Sequence, residues 1–304
     1  MSDYHLFGWR VRSALSLPDL LPWQGAAREP DLFVEIGAVP PLDRELPSFS
    51  PAVQIQPAGV RVTIPAVADY WVEAGRRIVV QTTLPLEVPD IRVFLLGSVL
   101  AILCFQRGVL PLHASGIDIG GCVLLISGNS GAGKSTLAAA FAARGYRLLS
   151  DDLCALDIDG QPGPRILPAF PRVKLWRDSA RQLEIATGGL ERSRAELEKY
   201  HVPVAQDGFQ LEPLPPAHVL FLRSEPGSGP ARIRAMSGLE ALRRYDLVHR
   251  WRLGLGLGKQ PAMFRSMARL VEAATVAEVT RSEDFAELPA LVETILASLG
   301  TPPP

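Results

Sequence analysis

The sequence contains little cysteine and no long apolar run. Three cysteines among 304 residues are too few for a disulfide framework or an all-cysteine zinc site, so we expect a reducing compartment. The most apolar stretch, Val93 to Phe105, is shorter than the roughly 20 residues that cross a bilayer. The N-terminus shows no basic region followed by an apolar run. These absences predict a cytoplasmic protein without a membrane partner, in which residues 93–105 form a buried helix.

A charge excess of either sign is also missing. Lys and Arg number 31 against 32 Asp and Glu, which gives a formal net charge of -1. No overall field therefore favours nucleic acid or an anionic membrane. We expect no nucleic-acid partner, and any phosphate recognition must be local.

The length and the element pattern predict two domains. With 304 residues, 47% of them hydrophobic, the chain is about twice an average domain of roughly 150 residues. Residues 1–90 show strand-like alternation broken by proline, at 4–11, 31–36, 59–64 and 77–82. We predict a small β-rich domain over 1–90 and an α/β domain over 91–304. The latter should contain strands at 110–119, 122–127, 146–149 and 219–222, and helices at 135–144, 177–200, 238–244 and 263–274.

The strongest motif is a phosphate-binding loop between a predicted strand and a predicted helix. Its glycines let successive backbone N–H groups face one concavity, the lysine reaches the outer phosphates and the serine can bind Mg²⁺. We therefore predict binding of ATP with Mg²⁺, by Gly128, Asn129, Ser130, Gly131, Ala132, Gly133, Lys134, Ser135 and Thr136.

An aspartate pair, Asp151 and Asp152, closes the strand that follows the loop helix. Neighbouring side chains at a strand end point to different sides, so one carboxylate can serve as a general base while the other orients a Mg²⁺ shell. A solvated acidic turn is the alternative interpretation. The short distance from the loop favours phosphoryl transfer over a nucleotide-dependent switch.

These motifs resemble the kinase domain of bacterial HPr kinase/phosphorylase. The resemblance rests on His113 in Leu-His-Ala-Ser-Gly, the phosphate loop, Arg144-Gly145 and the pair Asp151-Asp152, in the same order. It implies an α/β P-loop kinase domain of the HPr-kinase type behind the smaller β-rich domain. It also implies that Asp151 acts as base on a serine, that Asp152 supports the site and binds metal with Ser135, and that His113 stabilises charge.

The chain looks closer still to the HPr-kinase-like proteins of lasso peptide biosynthesis clusters. This likeness rests on residues 7–20 and on the segment 168–176, Pro-Ala-Phe-Pro-Arg-Val-Lys-Leu-Trp. That segment lacks the glutamate of the HPr kinases. The resemblance implies a cytoplasmic ATP-dependent kinase whose acceptor is a serine of a peptide or small protein, such as a lasso precursor. An HPr-type kinase/phosphorylase and a switch or assembly protein remain alternatives.

Basic residues beyond the loop lysine are expected to clamp the transferred phosphate. Arg172 and Lys174 lie two apart in an extended segment, so they should project to one side. We take them as candidates for a phosphate or substrate clamp. The sequence leaves a homo-oligomer open.

Overall fold

The computed structural model describes residues 1–194, 196–227 and 229–300. The last four residues of the predicted second domain lie outside this range. Within it the chain is a mixed α/β protein with two large sheets and two small ones, which agrees with the α/β part of the predicted fold class.

An eight-stranded sheet forms the N-terminal region. In spatial order its strands are β3-β1-β2-β4-β8-β7-β6-β5. Strand β4 is parallel to both of its neighbours, β2 and β8, and the strands on either side of this trio pair in antiparallel hairpins. The predicted strand 4–11 is in fact a hairpin, because Phe7 and Gly8 both have positive φ and turn the chain. The strands are β1 (Ser2–Leu6), β2 (Trp9–Ser13), β3 (Leu21–Pro22), β4 (Leu32–Ile36), β5 (Val53–Gln56), β6 (Gly59–Ile64), β7 (Ala68–Glu73) and β8 (Arg77–Gln81).

The predicted buried helix runs from Pro89 to Gln106, as α1 (Pro89–Phe94), a π-helical segment (Leu95–Val99) and α2 (Leu100–Gln106). Its length and apolar composition would suffice to cross a bilayer, but 61% of its residues are buried inside the protein. Its apolar side chains pack in one core with those of the eight-stranded sheet. The prediction of a buried helix is confirmed, and the helix begins earlier because proline suits a first turn.

A six-stranded sheet carries the phosphate loop, with the order β12-β10-β11-β17-β19-β18. The central strands β11, β17 and β19 are parallel. Two small sheets, β14-β13-β9 and β15-β16, lie beside it. The strands are β9 (Leu110–Leu112), β10 (Ala114–Asp118), β11 (Val123–Gly128), β12 (Leu148–Ser150), β13 (Cys154–Asp157), β14 (Arg165–Leu167), β15 (Arg172–Trp176), β16 (Lys199–Pro203), β17 (Pro216–Glu225), β18 (Arg232–Ala235) and β19 (Thr275–Ser282).

Helices cover both faces of this sheet. Leu124 and Ile126 of β11 face one core, while Val123 and Leu125 face another, as expected for a strand buried on both sides. The helices are α3 (Lys134–Ala142), α4 (Arg177–Gln182), α5 (Gly238–Leu242), α6 (Trp251–Gly256), α7 (Gln260–Ala273) and α8 (Leu288–Leu299).

The prediction of helix over 177–200 is wrong beyond its first turns. Helix α4 ends at Gln182, Glu184 takes a positive φ, and turns and bends follow in the described residues up to 198. Strand β16 then pairs with β15 in antiparallel register. This pairing, which buries Tyr200 and Val202, outweighs the local preference for helix.

A buried ionic cluster joins the N-terminal region to β15. The guanidinium group of Arg172 donates to Asp19 Oδ1 at 2.6 Å, and that of Arg92 donates to Asp19 Oδ2 at 3.3 Å. Arg92 also pairs with Glu191. Asp19, Glu191 and His201 lie close enough to hold a cation, but the two arginines already balance their charge. The cluster therefore ties the two regions together by ion pairs.

We expect Asp19→Ala to lower the free energy of unfolding by about 3–5 kcal/mol, because it leaves the buried Arg172 without its carboxylate. Urea denaturation measures this loss. As control, Glu272→Ala breaks the exposed pair with Arg269 and should cost at most about 1 kcal/mol. Equal small losses in the two variants would show that the cluster contributes little.

Candidate functional site

The phosphate loop connects β11 to α3 and needs glycine at defined points. Gly128, Gly131 and Gly133 have φ of 145°, 87° and 95°, which disfavour other residues. A Cβ at Gly128 would lie 2.3 Å from the carbonyl oxygen of Leu222, and one at Gly133 would lie 2.5 Å from a guanidinium nitrogen of Arg281. The loop therefore packs tightly against residues of β17 and β19.

Lys134 begins α3 and folds back over the loop. Its Nζ donates to the carbonyl oxygens of Gly128 at 2.9 Å and Asn129 at 3.2 Å. Burial lowers the pKa of the Lys134 ammonium group, against the attraction of Asp152 and Asp151. A partly desolvated cation in this position is suited to an incoming phosphate, which would replace the two carbonyl partners.

Asp151 is buried and fully hydrogen-bonded, with only 1% of the residue exposed. Its Oδ1 accepts hydrogen bonds from Ser115 Oγ at 2.6 Å and Ser135 Oγ at 2.9 Å. Its Oδ2 accepts from the backbone N–H of Lys174 at 2.8 Å. Asp151 therefore links the phosphate-loop serine to two neighbouring strands.

Asp152 points the other way, because its backbone adopts a positive φ of 73°. Its side chain is 29% exposed, and its carboxylate accepts a hydrogen bond from Lys174 Nζ at 2.8 Å. Burial would raise the pKa of Asp152, but the charge and hydrogen bond of Lys174, with His249 and His113 nearby, hold it well below its usual range. The carboxylate that faces solvent is thus ionised at neutral pH.

His113 interrupts the predicted strand 110–119 and lies beside Asp152. Its Nδ1 is 3.2 Å from the Asp152 carbonyl oxygen and 3.6 Å from the carboxylate. Burial, followed by repulsion from Lys134, lowers the pKa of His113, so the ring is neutral near pH 7. We assign the tautomer that donates from Nδ1.

A second histidine, His249, was missed by the sequence reasoning. Its ring centroid is 5.5 Å from that of His113, and its Nε2 is buried without a hydrogen-bond partner among the described residues. Burial lowers its pKa to about 4. No motif surrounds His249, and backbone hydrogen bonds bring it to the site: its backbone N–H donates to the Pro111 carbonyl at 2.9 Å, and that of His113 donates to the Leu247 carbonyl at 2.7 Å.

The two clamp candidates occupy different environments. Lys174 reaches the site through its bond to Asp152, whereas Arg172 is 4% exposed and faces Asp19 and His201. Arg172 does not line the hollow in front of the loop. The prediction of a phosphate clamp is therefore supported by position for Lys174, while Arg172 anchors the strand behind it.

A hollow of about 340 Å³ opens in front of the loop, and most of the predicted site residues line it. Lys199 and Arg281 also line the hollow, and Arg281 Nε donates to the Ala132 carbonyl oxygen at 3.1 Å. The arrangement can bind a polyphosphate and present a carboxylate to it. The predicted residues that line the hollow are His113, Ser130, Gly131, Gly133, Lys134, Ser135, Thr136, Asp152 and Lys174.

We expect Lys174→Met to move the acidic limb of the pH–activity profile to higher pH. Lys174 holds the pKa of Asp152 down, so without it burial raises that pKa and the carboxylate is protonated at a higher pH than before. The profile of turnover between acidic and neutral pH measures the shift. Lys259→Met, which changes a lysine outside the hollow, should leave the limb in place, and an unmoved limb in Lys174→Met would refute the coupling.

Comparisons with known proteins give a weak structural likeness and no more. No protein-family model and no curated protein matches the chain. Among solved structures, the Hpr(Ser) kinase/phosphatase from Coxiella burnetii is similar over 62% of this chain and 92% of its own, at 13% identity and a TM-score of 0.31. A likeness at this level supports no conclusion about the reaction, which has to be argued from the site itself.

Proposed function

We propose that the protein is an ATP-dependent phosphotransferase that acts on a hydroxyl group. The observation that carries this proposal is that the two neighbouring aspartates differ in burial and in hydrogen-bond partners. Asp151 is buried and accepts a hydrogen bond from Ser135, while Asp152 is partly exposed and lines the hollow together with Lys134 and Lys174. A site that only bound nucleotide would not need a second carboxylate facing the phosphates.

The residues present fit Mg-ATP. The loop N–H groups and Lys134 would hold the phosphates, and the Ser135 hydroxyl and the Asp151 carboxylate offer the oxygen ligands that Mg²⁺ prefers. When bound, Mg²⁺ would neutralise charge on the phosphates. Lys174, Lys199 and Arg281 surround the same hollow and would stabilise the negative charge of the transferred group.

Transfer would proceed by direct displacement. The acceptor oxygen forms a bond to the γ-phosphorus, the bond from that phosphorus to the oxygen bridging to the β-phosphate breaks, and the hydroxyl proton passes to Asp152. Because the transition state of such transfers is loose, the proton leaves late, and an ionised carboxylate of low pKa can still orient the hydroxyl and accept the proton.

The geometry favours exchanging the roles that the family resemblance implied. Asp151 is 1% exposed and both its oxygens accept hydrogen bonds, from Ser115, Ser135 and Lys174, so it is far less accessible to an acceptor than Asp152. We therefore propose Asp152 as the base and Asp151 as the residue that positions Ser135. His113, neutral and in contact with Asp152, would orient that carboxylate.

A second cavity provides room for the nucleoside. It has a volume of about 210 Å³ and shares Gly133, Thr136, Arg281 and Phe285 with the phosphate hollow. Most of its remaining lining is apolar, including Leu137 and Leu288. We propose that the base enters here, with Phe285 against its ring.

We expect Phe285→Ala to weaken ATP binding roughly tenfold, the effect of removing one stacking contact. Its affinity for inorganic tripolyphosphate should stay the same, because the phosphate loop is untouched. Calorimetric titration of both ligands gives the comparison, with Leu239→Ala as a control at an exposed position elsewhere. Equal losses for the two ligands would place the base outside this cavity.

The proposed acceptor is a serine of a peptide or small protein, including a lasso-type precursor peptide. Its support is the sequence resemblance, together with a hollow that is open to solvent at Asp152. The test is mass spectrometry of a serine peptide after incubation with Mg-ATP, beside the same peptide with alanine in place of serine. Phosphate on the serine peptide supports the kinase, and its appearance only on HPr would identify an HPr-type carrier kinase. ATP binding without phosphorylation of any acceptor would favour a switch.

A further inference from the structure

An apolar surface lies on the part of the chain that contains and follows His249. Two hollows meet at Trp251. The first, of about 530 Å³, is lined by Tyr245, Leu255 and Phe264, and the second, of about 390 Å³, by Phe49 and by residues of α6. We call the two together the aromatic groove.

The groove is open, and its apolar side chains have no cover within the described chain. Phe264 is 59% exposed and Tyr245 53%, and Phe49 and Leu255 are also exposed. Contiguous exposed aromatics of this kind mark binding surfaces. Gly256 leaves the space for Phe49, because a Cβ there would lie 2.5 Å from the ring.

The charge around the groove is strongly one-sided. Residues 240–272 hold six arginines and one lysine against three acids, Glu240, Asp246 and Glu272, although the whole chain has a net charge of -1. Glu240 is paired with Arg234, and Glu272 with Arg269. Asp246 is already paired with Arg244. Arg250 and Arg252 line the second hollow, and neither pairs with a carboxylate among the residues that the structure describes. This surface is complementary to an acidic partner that carries apolar groups.

A short series of contacts connects the groove to Asp152. Trp251 follows His249 by two residues, so their Cα atoms are at most about 7 Å apart. The ring of His249 is next to His113, which contacts Asp152. Lys134 and Ser135, the residues proposed to hold the phosphates, line one hollow together with Asp152. The contacts from Trp251 through His249 and His113 are short enough that a peptide of a few residues could reach from the groove to Asp152.

We propose that the aromatic groove binds an acidic peptide segment with apolar side chains, and that this segment lies next to the peptide's phosphorylated serine. This inference rests on the proposed function for the identity of the segment, namely the acceptor. The apolar groups line concave hollows large enough for bulky side chains, which suits a peptide rather than a flat lipid surface. Arg250 and Arg252, which pair with no carboxylate among the described residues, would select acidic residues and exclude basic ones.

The test uses two pools of synthetic peptides with a central serine. In one the flanks vary among Asp, Glu, Leu and Phe, and in the other Lys and Arg replace the acids. We expect the acidic pool to bind the full-length protein, by fluorescence anisotropy, at least tenfold more tightly than the basic pool. Phe264→Ala and Arg252→Glu should each weaken acidic-pool binding about tenfold and leave Mg-ATP affinity unchanged. Leu239→Ala, at an exposed position outside the groove, should change neither.

Several outcomes would overturn the inference. They are equal binding of both pools, no acidic-pool binding below about 1 mM, and unchanged affinity in the groove variants. Binding of single-stranded DNA or anionic vesicles, or self-association, that Phe264→Ala abolishes would assign the groove to another partner. Failure of the proposed kinase function can be distinguished from failure of the groove proposal. Acidic peptides that bind in the groove but are never phosphorylated contradict the kinase alone, whereas phosphorylation unaffected by the groove variants contradicts the groove alone.

Discussion

Asp152→Asn is expected to lower phosphoryl transfer from bound Mg-ATP by roughly 10²–10⁴, the usual range for loss of a general base. Asparagine keeps the shape of the side chain but cannot accept the hydroxyl proton. Affinity for Mg-ATP should change little, because Lys134 and the loop are untouched. Single-turnover transfer to a serine peptide measures the first quantity, and calorimetric titration the second.

Asp151→Asn serves as the matched comparison. The new amide would face donors from Ser115, Ser135 or the Lys174 backbone, so a buried donor loses its partner at a cost of about 1–3 kcal/mol. We expect lower stability and weaker Mg-ATP binding, with a smaller effect on transfer from bound nucleotide. If Asp151→Asn lost transfer at unchanged affinity while Asp152→Asn remained active, the two roles would be reversed.

Lys134→Ala is expected to reduce turnover by roughly 10²–10³ or more, because the ammonium group is the buried cation nearest the loop carbonyls and would follow the charge of the transferred phosphate. Tripolyphosphate and ATP should both bind more weakly. This pattern differs from that of Phe285→Ala, which should affect ATP alone. Steady-state turnover and calorimetry separate the two effects.

The control for this variant is Lys259→Ala, which removes a lysine that does not line the phosphate hollow. Its nucleotide affinity should equal that of the unchanged protein, and both variants should keep their circular dichroism spectra. A folded Lys134→Ala protein with turnover within a few-fold of normal would mean that the loop does not hold the reacting phosphates.

The strand, the glycine-rich loop and the helix around Gly128 could be predicted because their information is local, while phosphate binding by this loop stays a prediction. Glycine spacing, a buried strand before the loop and an alanine-rich helix after it lie within twenty residues of Gly128. Gly120 and Gly121 separate the predicted strands 110–119 and 122–127, and both have the positive φ of a tight turn. The buried helix at 89–106 likewise follows from one continuous apolar stretch.

The division between Asp151 and Asp152 could not be predicted, since it depends on a positive φ at Asp152 and on partners from three other elements. His249 and the cluster around Asp19 depend on contacts between distant parts of the chain. Arg172 and Lys174 both lie in strand β15, as the extended segment predicted, but Arg172 pairs with Asp19 of the N-terminal region, whereas Lys174 pairs with Asp152. The split of the small domain at residue 90 stays a prediction, although the helix after it packs on the N-terminal sheet.

The most direct test of phosphoryl transfer follows an isotopically labelled γ-phosphate from Mg-ATP to its destination by mass spectrometry. The site described here predicts labelled phosphate on the serine of an acidic peptide, in far smaller amount with Asp152→Asn and absent when alanine replaces the serine. Label found only as free phosphate, in equal amount with and without peptide and unaffected by Asp152→Asn, would contradict it.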